Sequence, residues 1–209
     1  MSIIGRKIIS FDVKNNHINY GIGNYLFGRV RVKKFGEYKS NIKFEIDDLI
    51  VVNLPWDLIL HLSIETPGIV NEKQLREYLS IEISQNLGID SSELYFDYVK
   101  PISDKINVFV VKEADLKVYL EKIKSQGIPE PDVAYPDILK EVLVLQKYVG
   151  LNLYFIVTND YSGTLILMDK NLRHMRFSYL TLEYLNKVVT DEFGINIYET
   201  EKSDDINLK

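Results

Sequence analysis

The side chains able to do chemistry are few and scattered. Three histidines, His17, His61 and His174, lie far apart in sequence and show no metal-ligand spacing, so each reads as a surface or strand histidine and no metal is expected. The 209-residue chain has no cysteine. That removes disulfides, thiolate zinc sites and thiol nucleophiles, and it fits a reducing compartment. Arg29, Arg31, Lys33 and Lys34 form one basic cluster. It reads either as an edge strand protected by charge or as a contact for an acidic partner or membrane headgroups. Trp56 follows Pro55 and is either core beside a buried strand or an interface anchor. The tyrosine-rich stripes read as core. A formal net charge of -5 argues against broad nucleic-acid binding, because phosphate contacts need a basic surface.

The elements that must position these residues follow from the hydrophobic pattern. With 46% hydrophobic and 26% charged residues, the chain can bury a real core in one domain or two small ones. No apolar run of signal-peptide length precedes Asp12. The most apolar stretch, residues 49–64, is interrupted by Asn53, Pro55, Asp57 and His61, so no membrane span is expected. Residues 7–32 read as a three-strand meander with turns at 14–16 and at Gly23-Asn24. Residues 35–45 read as a loop with a short strand. The run 49–54, closed by Pro55, suits a buried strand, and 58–64 reads as another.

After Pro67-Gly68 a helix is marked at both ends, with Asn71 and Gln74 as a capping box and Gly88 as its stop. Leu75, Tyr78, Leu79, Ile83 and Leu87 form its apolar face, with Ile81 off the stripe. Residues 94–99 and 106–111 read as paired strands. Leu116, Tyr119, Leu120 and Ile123 make a second helical stripe, stopped by Gly127. Pro129, Pro131 and Pro136 punctuate a short strand or linker, and residues 138–149 read as a third helix. A second meander follows Gly150, with turns at Ser162-Gly163 and Lys170-Asn171. Thr181 then caps a fourth helix stopped by Gly194. The two meanders are a coarse internal repeat of element order.

Two meanders, each opening a mixed α/β half, resemble the plan of the actin-like (ribonuclease H-like) fold. Lys73-Gln74-Leu75-Arg76 opening a helix, Leu94 to Tyr98 reading LYFDY, Gly127-Ile128 and Val133-Ala134 add local motifs. In this order they resemble the PilM family of type IV pilus assembly and the cytoplasmic domain of the GspL family of type II secretion. The resemblance implies residues 1–57 and 113–149 as a first actin-like half and 58–112 as an inserted β-α-β-β subdomain. Residues 150–209 would be an incomplete second half, with the natural end expected beyond Lys209.

The resemblance also places two phosphate-holding hairpin turns. The first holds Asp12, Lys14 and Asn15, with Lys14 where the family has Gly; the second holds Asp160, Gly163 and Thr164, with Val157 near the expected acidic position. Where a Gly-Gly turn would complete the pocket, the chain reads Phe177-Ser178-Tyr179-Leu180. These departures imply a degenerate ATPase fold, without catalytic residues or cofactor; the alternative is a PilM- or FtsA-like protein that binds Mg-ATP. The implied role is a cytoplasmic scaffold, peripheral to the inner membrane. Its implied partners are a PilN- or GspM-like membrane protein and a PilB- or GspE-like motor ATPase, and a homodimer is possible. Trp56, Arg29, Arg31, Lys73 and Arg76 are the candidate partner contacts.

Overall fold

The computed structural model describes residues 6–14, 17–26, 29–68, 71–99, 105–178 and 180–199. The chain divides into two compact units, residues 1–143 and 144–209. Among the described residues, no helix is long and apolar enough to cross a membrane.

In the first unit, β1 (Lys7–Val13), β2 (Ile18–Leu26) and β3 (Arg29–Glu37) form the expected antiparallel meander. On the far side of β1, β4 (Leu49–Leu54) and β8 (Val133–Pro136) add in parallel, giving the order β3-β2-β1-β4-β8. Alternation decides which side is core. Ile9 and Phe11 lie level with Ile50 and Val52, and all four are buried. Ser10, Asp12, Val51 and Asn53 therefore point to the opposite face.

Between β4 and β8 the chain makes a second sheet. A one-turn 3-10 helix, Trp56–Leu58, delays the next strand, so β5 runs Leu60–Glu65 rather than from residue 58. β6 (Leu94–Val99) and β7 (Lys105–Lys112) complete an antiparallel sheet in the order β5-β7-β6. Helix α1 (Glu72–Leu87) packs on it. Its capping box forms as expected: the Asn71 side chain accepts from the Gln74 N–H at 3.0 Å, and the Asn71 N–H donates to Gln74 Oε1 at 3.1 Å. Gly88 closes the helix in the left-handed conformation. Leu79 and Ile83 meet Ile64, Leu94, Ile106, Val108 and Val110 in one core cluster, and Ile81 is exposed. Helix α2 (Glu113–Ser125) buries Tyr119 and Ile123; Leu120, expected at the centre of the stripe, is only half-buried, so that centre lies one position away.

Helix α3 (Ile138–Leu145) ends four residues before the expected Val149, in a turn where the Tyr148 N–H donates to the Leu145 carbonyl. The second unit holds β9 (Leu151–Val157), β10 (Ser162–Met168), β11 (Asn171–Ser178) and α4 (Leu182–Phe193). The order is β11-β10-β9, antiparallel throughout, with Leu165, Leu167, Leu172 and Met175 buried. Thr181 caps α4 through the Tyr184 N–H.

Two expected turns are not turns. Gly23 and Asn24 lie inside β2, and Ser162 and Gly163 open β10. Both glycines answer a close approach instead: a Cβ on Gly23 would stand 2.8 Å from the Arg31 carbonyl oxygen, and one on Gly163 3.0 Å from the Phe177 ring. At the other expected turns, Asn15 and Asn16 lie outside the described residues, while Asp169 and Lys170 make a left-handed pair and Asn171 already begins β11.

Candidate functional site

Three parallel strands bring their C-terminal ends to one corner of the first unit, the place where open α/β sheets gather ligand-binding groups. Asp12 sits near the end of β1, Asn53 near the end of β4, and Asp137 directly after β8 at the entry to α3. Lys14 enters from the β1–β2 hairpin and Lys140 from the first turn of α3.

Asp137 is the hub, at 3% exposure. It accepts from Lys14 Nζ at 2.8 Å, from Lys140 Nζ at 2.8 Å and from Asn53 Nδ2 at 3.1 Å. The same Lys140 ammonium lies 3.3 Å from Asp12 Oδ1, with Lys14 Nζ at 3.8 Å from that oxygen. Two carboxylates thus share two ammonium groups, and the corner is formally neutral. Asn53, itself buried, ties this network to the strand ends: its Oδ1 accepts from the Val13 N–H at 2.7 Å and its Nδ2 donates to the Val13 carbonyl at 3.2 Å. The Tyr119 hydroxyl donates to the Asn53 carbonyl at 2.7 Å.

Burial pushes the Asp137 carboxyl upward, but its bonds to Lys14 and Lys140 outweigh that and hold it below the usual carboxylate range. Burial lowers Lys140, and its bond to Asp137 more than reverses this, so the ammonium is held above its ordinary range. Tyr119 and Tyr135 are both pushed up, first by burial and then by the nearby carboxylates. Asp137 and Lys140 therefore stay charged across the neutral range. A divalent cation between Asp12 and Asp137 would have to displace Lys140, and a phosphate would meet charges already compensated. The residues present do not suit a magnesium-nucleotide at this corner.

The second hairpin is built differently. Thr158 closes it: the hydroxyl accepts from the Asp160 and Tyr161 N–H groups at 3.2 and 3.0 Å, and the Thr158 N–H donates to the Tyr161 carbonyl at 2.8 Å. The turn's own threonine thus satisfies the backbone donors that a phosphate would need. Asp160 is exposed, and Gly163 and Thr164 belong to β10. Among the described residues, no three His, Cys, Asp or Glu side chains converge as metal ligands.

The other candidates fall on separate elements. Lys73 is exposed on α1 and lies 3.9 Å from Glu77. Arg76 pairs with Asp97 at 3.1 Å and stacks over the Tyr98 ring. With Glu77, Ser80 and Ile81 of α1 and Phe96 of β6 it lines an open groove of about 460 Å³ between the helix and the edge of the inserted sheet. Trp56 is half-buried in its 3-10 turn, and Arg29 and Arg31 lie on β3 of the other sheet. The reading from sequence found Asp12 and Lys14 but missed Asn53, Asp137 and Lys140. The available signals were a lone amide inside an apolar strand and an aspartate at a helix entry with lysine three residues on.

The sequence matches no protein-family model and no curated protein. Among solved structures, it is similar to a chain of the PilM-PilN type IV pilus biogenesis complex at 10% identity, over 93% of this chain and 67% of that one, with a TM-score of 0.67. It is also similar to Cyto-EpsL, the cytoplasmic domain of an inner membrane component of the type II secretion system of Vibrio cholerae. There the identity is 14%, the coverage 92% of this chain and 79% of that one, and the TM-score 0.53. The fold is actin-like. The charged corner lies at the first hairpin, where the sequence had placed Asp12 and Lys14.

Proposed function

We propose that this actin-like chain is a non-catalytic cytoplasmic scaffold of a type IV pilus or type II secretion-like machine. In this reading it holds a cytoplasmic segment of an inner-membrane partner and passes that contact to the motor ATPase. One observation carries the non-catalytic part: Lys14 and Lys140 fill the corner between Asp12 and Asp137 with the chain's own ammonium groups. The fold shared with the PilM-PilN complex and with Cyto-EpsL supports the choice of machine. The groove beside Ile81 and Phe96 supports the inserted sheet as the partner site, since it offers apolar surface with a polar rim.

Thermal unfolding with and without millimolar Mg-ATP tests the first part. The expected melting temperature is unchanged within about one degree, because only a ligand that binds the native state stabilises it. A rise of several degrees would restore the reading as an ATP-binding member. A calorimetric titration with the cytoplasmic segment of a PilN- or GspM-like protein tests the second part. Binding without nucleotide that is lost in Ile81→Lys supports the groove, and binding that survives that change excludes it.

A further inference from the structure

We propose that the outer edge of β3 receives an extended segment whose side chains alternate acidic and apolar. Among the described residues β3 is the last strand of its sheet and pairs only with β2, and eight of its nine residues are exposed. The antiparallel register sorts those residues by face. Arg29, Arg31 and Lys34 lie level with Leu26, Asn24 and Ile22. Val30, Val32 and Phe35 lie level with Tyr25, Gly23 and Gly21, on the opposite face. The register shift between Ile22 and Gly23 takes up Lys33 and keeps Lys34 on the arginine side.

The apolar side is open. Val30, Val32 and Phe35 are 55%, 62% and 82% exposed, and beneath Phe35 the glycine at 21 leaves room that a Cβ would enter without contact. On the basic side, none of Arg29, Arg31, Lys33 or Lys34 forms an ion pair with a described residue, in a chain whose net charge is -5. Lys34 reaches only over the Tyr20 ring, at 5.7 Å.

Charge complementarity fixes the occupant. A strand added along the edge would hydrogen-bond to the β3 backbone, set its acidic residues beside Arg29, Arg31 and Lys34, and lay its apolar residues against Val30, Val32 and Phe35. A bilayer cannot do this, because the cations and the apolar groups lie on opposite faces and a flat surface meets one at a time. A purely protective edge is also a poor fit: protection calls for polar residues, not three exposed apolar ones on one face.

The test uses the full chain and a short blocked peptide alternating Glu and Val, with a peptide of the same composition in block order (acids together, valines together) as control. Calorimetry should find binding of the alternating peptide and weaker binding of the block peptide. Arg31→Glu and Val32→Lys should each weaken the alternating peptide by about tenfold or more, a difference near 1.4 kcal/mol. Raising the salt from about 0.05 to about 0.5 M should weaken it too, since the charges are exposed. Both positions are exposed, so both variants should keep the wild-type melting curve. Equal binding of the two peptides, no binding of either, or binding only to vesicles of anionic phospholipid would overturn the proposal.

Discussion

The two meanders repeat one element order and hold their first hairpins by different means. In the first unit, β1 is flanked on both sides, its core-facing Ile9 and Phe11 are fully buried, and its turn is wired to α3 through Lys14, Asp137 and Lys140. In the second, β9 is an edge strand among the described residues. Leu151, Leu153, Phe155 and Val157 along one of its faces are exposed, and one threonine hydroxyl closes the turn. A topology shared by two halves therefore does not carry a shared chemistry. Charge fills the first corner and a neutral hydroxyl closes the second.

The largest effect should come from breaking the charged hub. Asp137→Ala would leave two ammonium groups and the Asn53 amide without their common acceptor in a buried place. The expected cost is about 3–5 kcal/mol of stability by urea unfolding. The pH dependence follows from the direction of each shift. Asp137 is held low, so its contribution is present above the unfolded value near ~3.9 and fades as pH falls through the lower folded value. Lys140 is held high, so its contribution is complete below the unfolded value near ~10.4 and fades as pH rises through the higher folded one. Wild-type stability should thus carry an acid loss below about pH 4 that Asp137→Ala lacks. An identical acid limb in both would show that the first corner is no more charge-dependent than the second.

The next effect compares two glycines at matching places, one in the middle strand of each meander. A Cβ on Gly23 meets backbone, the Arg31 carbonyl at 2.8 Å, and backbone cannot step aside without disturbing the β2–β3 ladder. A Cβ on Gly163 meets chiefly the Phe177 ring at 3.0 Å, and a side chain can rotate. Gly23→Ala should cost about 2–3 kcal/mol and Gly163→Ala about 1. Thermal unfolding of both variants checks the ranking, and a reversed order would mean that the second sheet is the less yielding of the two.

Those glycines also mark where the sequence was legible and where it was not. Strand and helix periods are local, so both meanders, the capped α1 and the inserted sheet could be read from alternation, caps and breaks. A glycine next to a polar residue looks the same whether it serves a turn or a close strand contact, and only the neighbouring strand decides. The charged corner shows the same limit at longer range. Asp12 and Lys14 were visible because a hairpin keeps them together. Asn53, Asp137 and Lys140 join them only through parallel pairing of β1, β4 and β8, across separations of 40 to 128 residues that no local pattern encodes. Leu120 is a smaller case: on a helix the stripe gives the face, but the packing partner sets its centre.

The smallest effect should come from the second hairpin. Thr158→Val keeps the shape and the β-branched preference of the position and removes the hydroxyl that accepts from the Asp160 and Tyr161 N–H groups and donates to the Tyr161 carbonyl, which keeps its bond from the residue 158 N–H. The Asp160 N–H belongs to an exposed residue, so water can replace that partner at little cost. The Tyr161 N–H is less accessible, because Tyr161 is among the largest fully buried side chains of the fold. One partly buried donor left without its acceptor is worth about 1 kcal/mol, and the valine methyl recovers some of that by packing. Hydrogen exchange should report faster opening of the Tyr161 amide in the variant, while amides around Val13 keep their wild-type rates. If Thr158→Val instead lowered stability as much as Asp137→Ala, the two hairpins would be equally dependent on their closing groups, and the contrast between a charged corner and a neutral one would lose its energetic content.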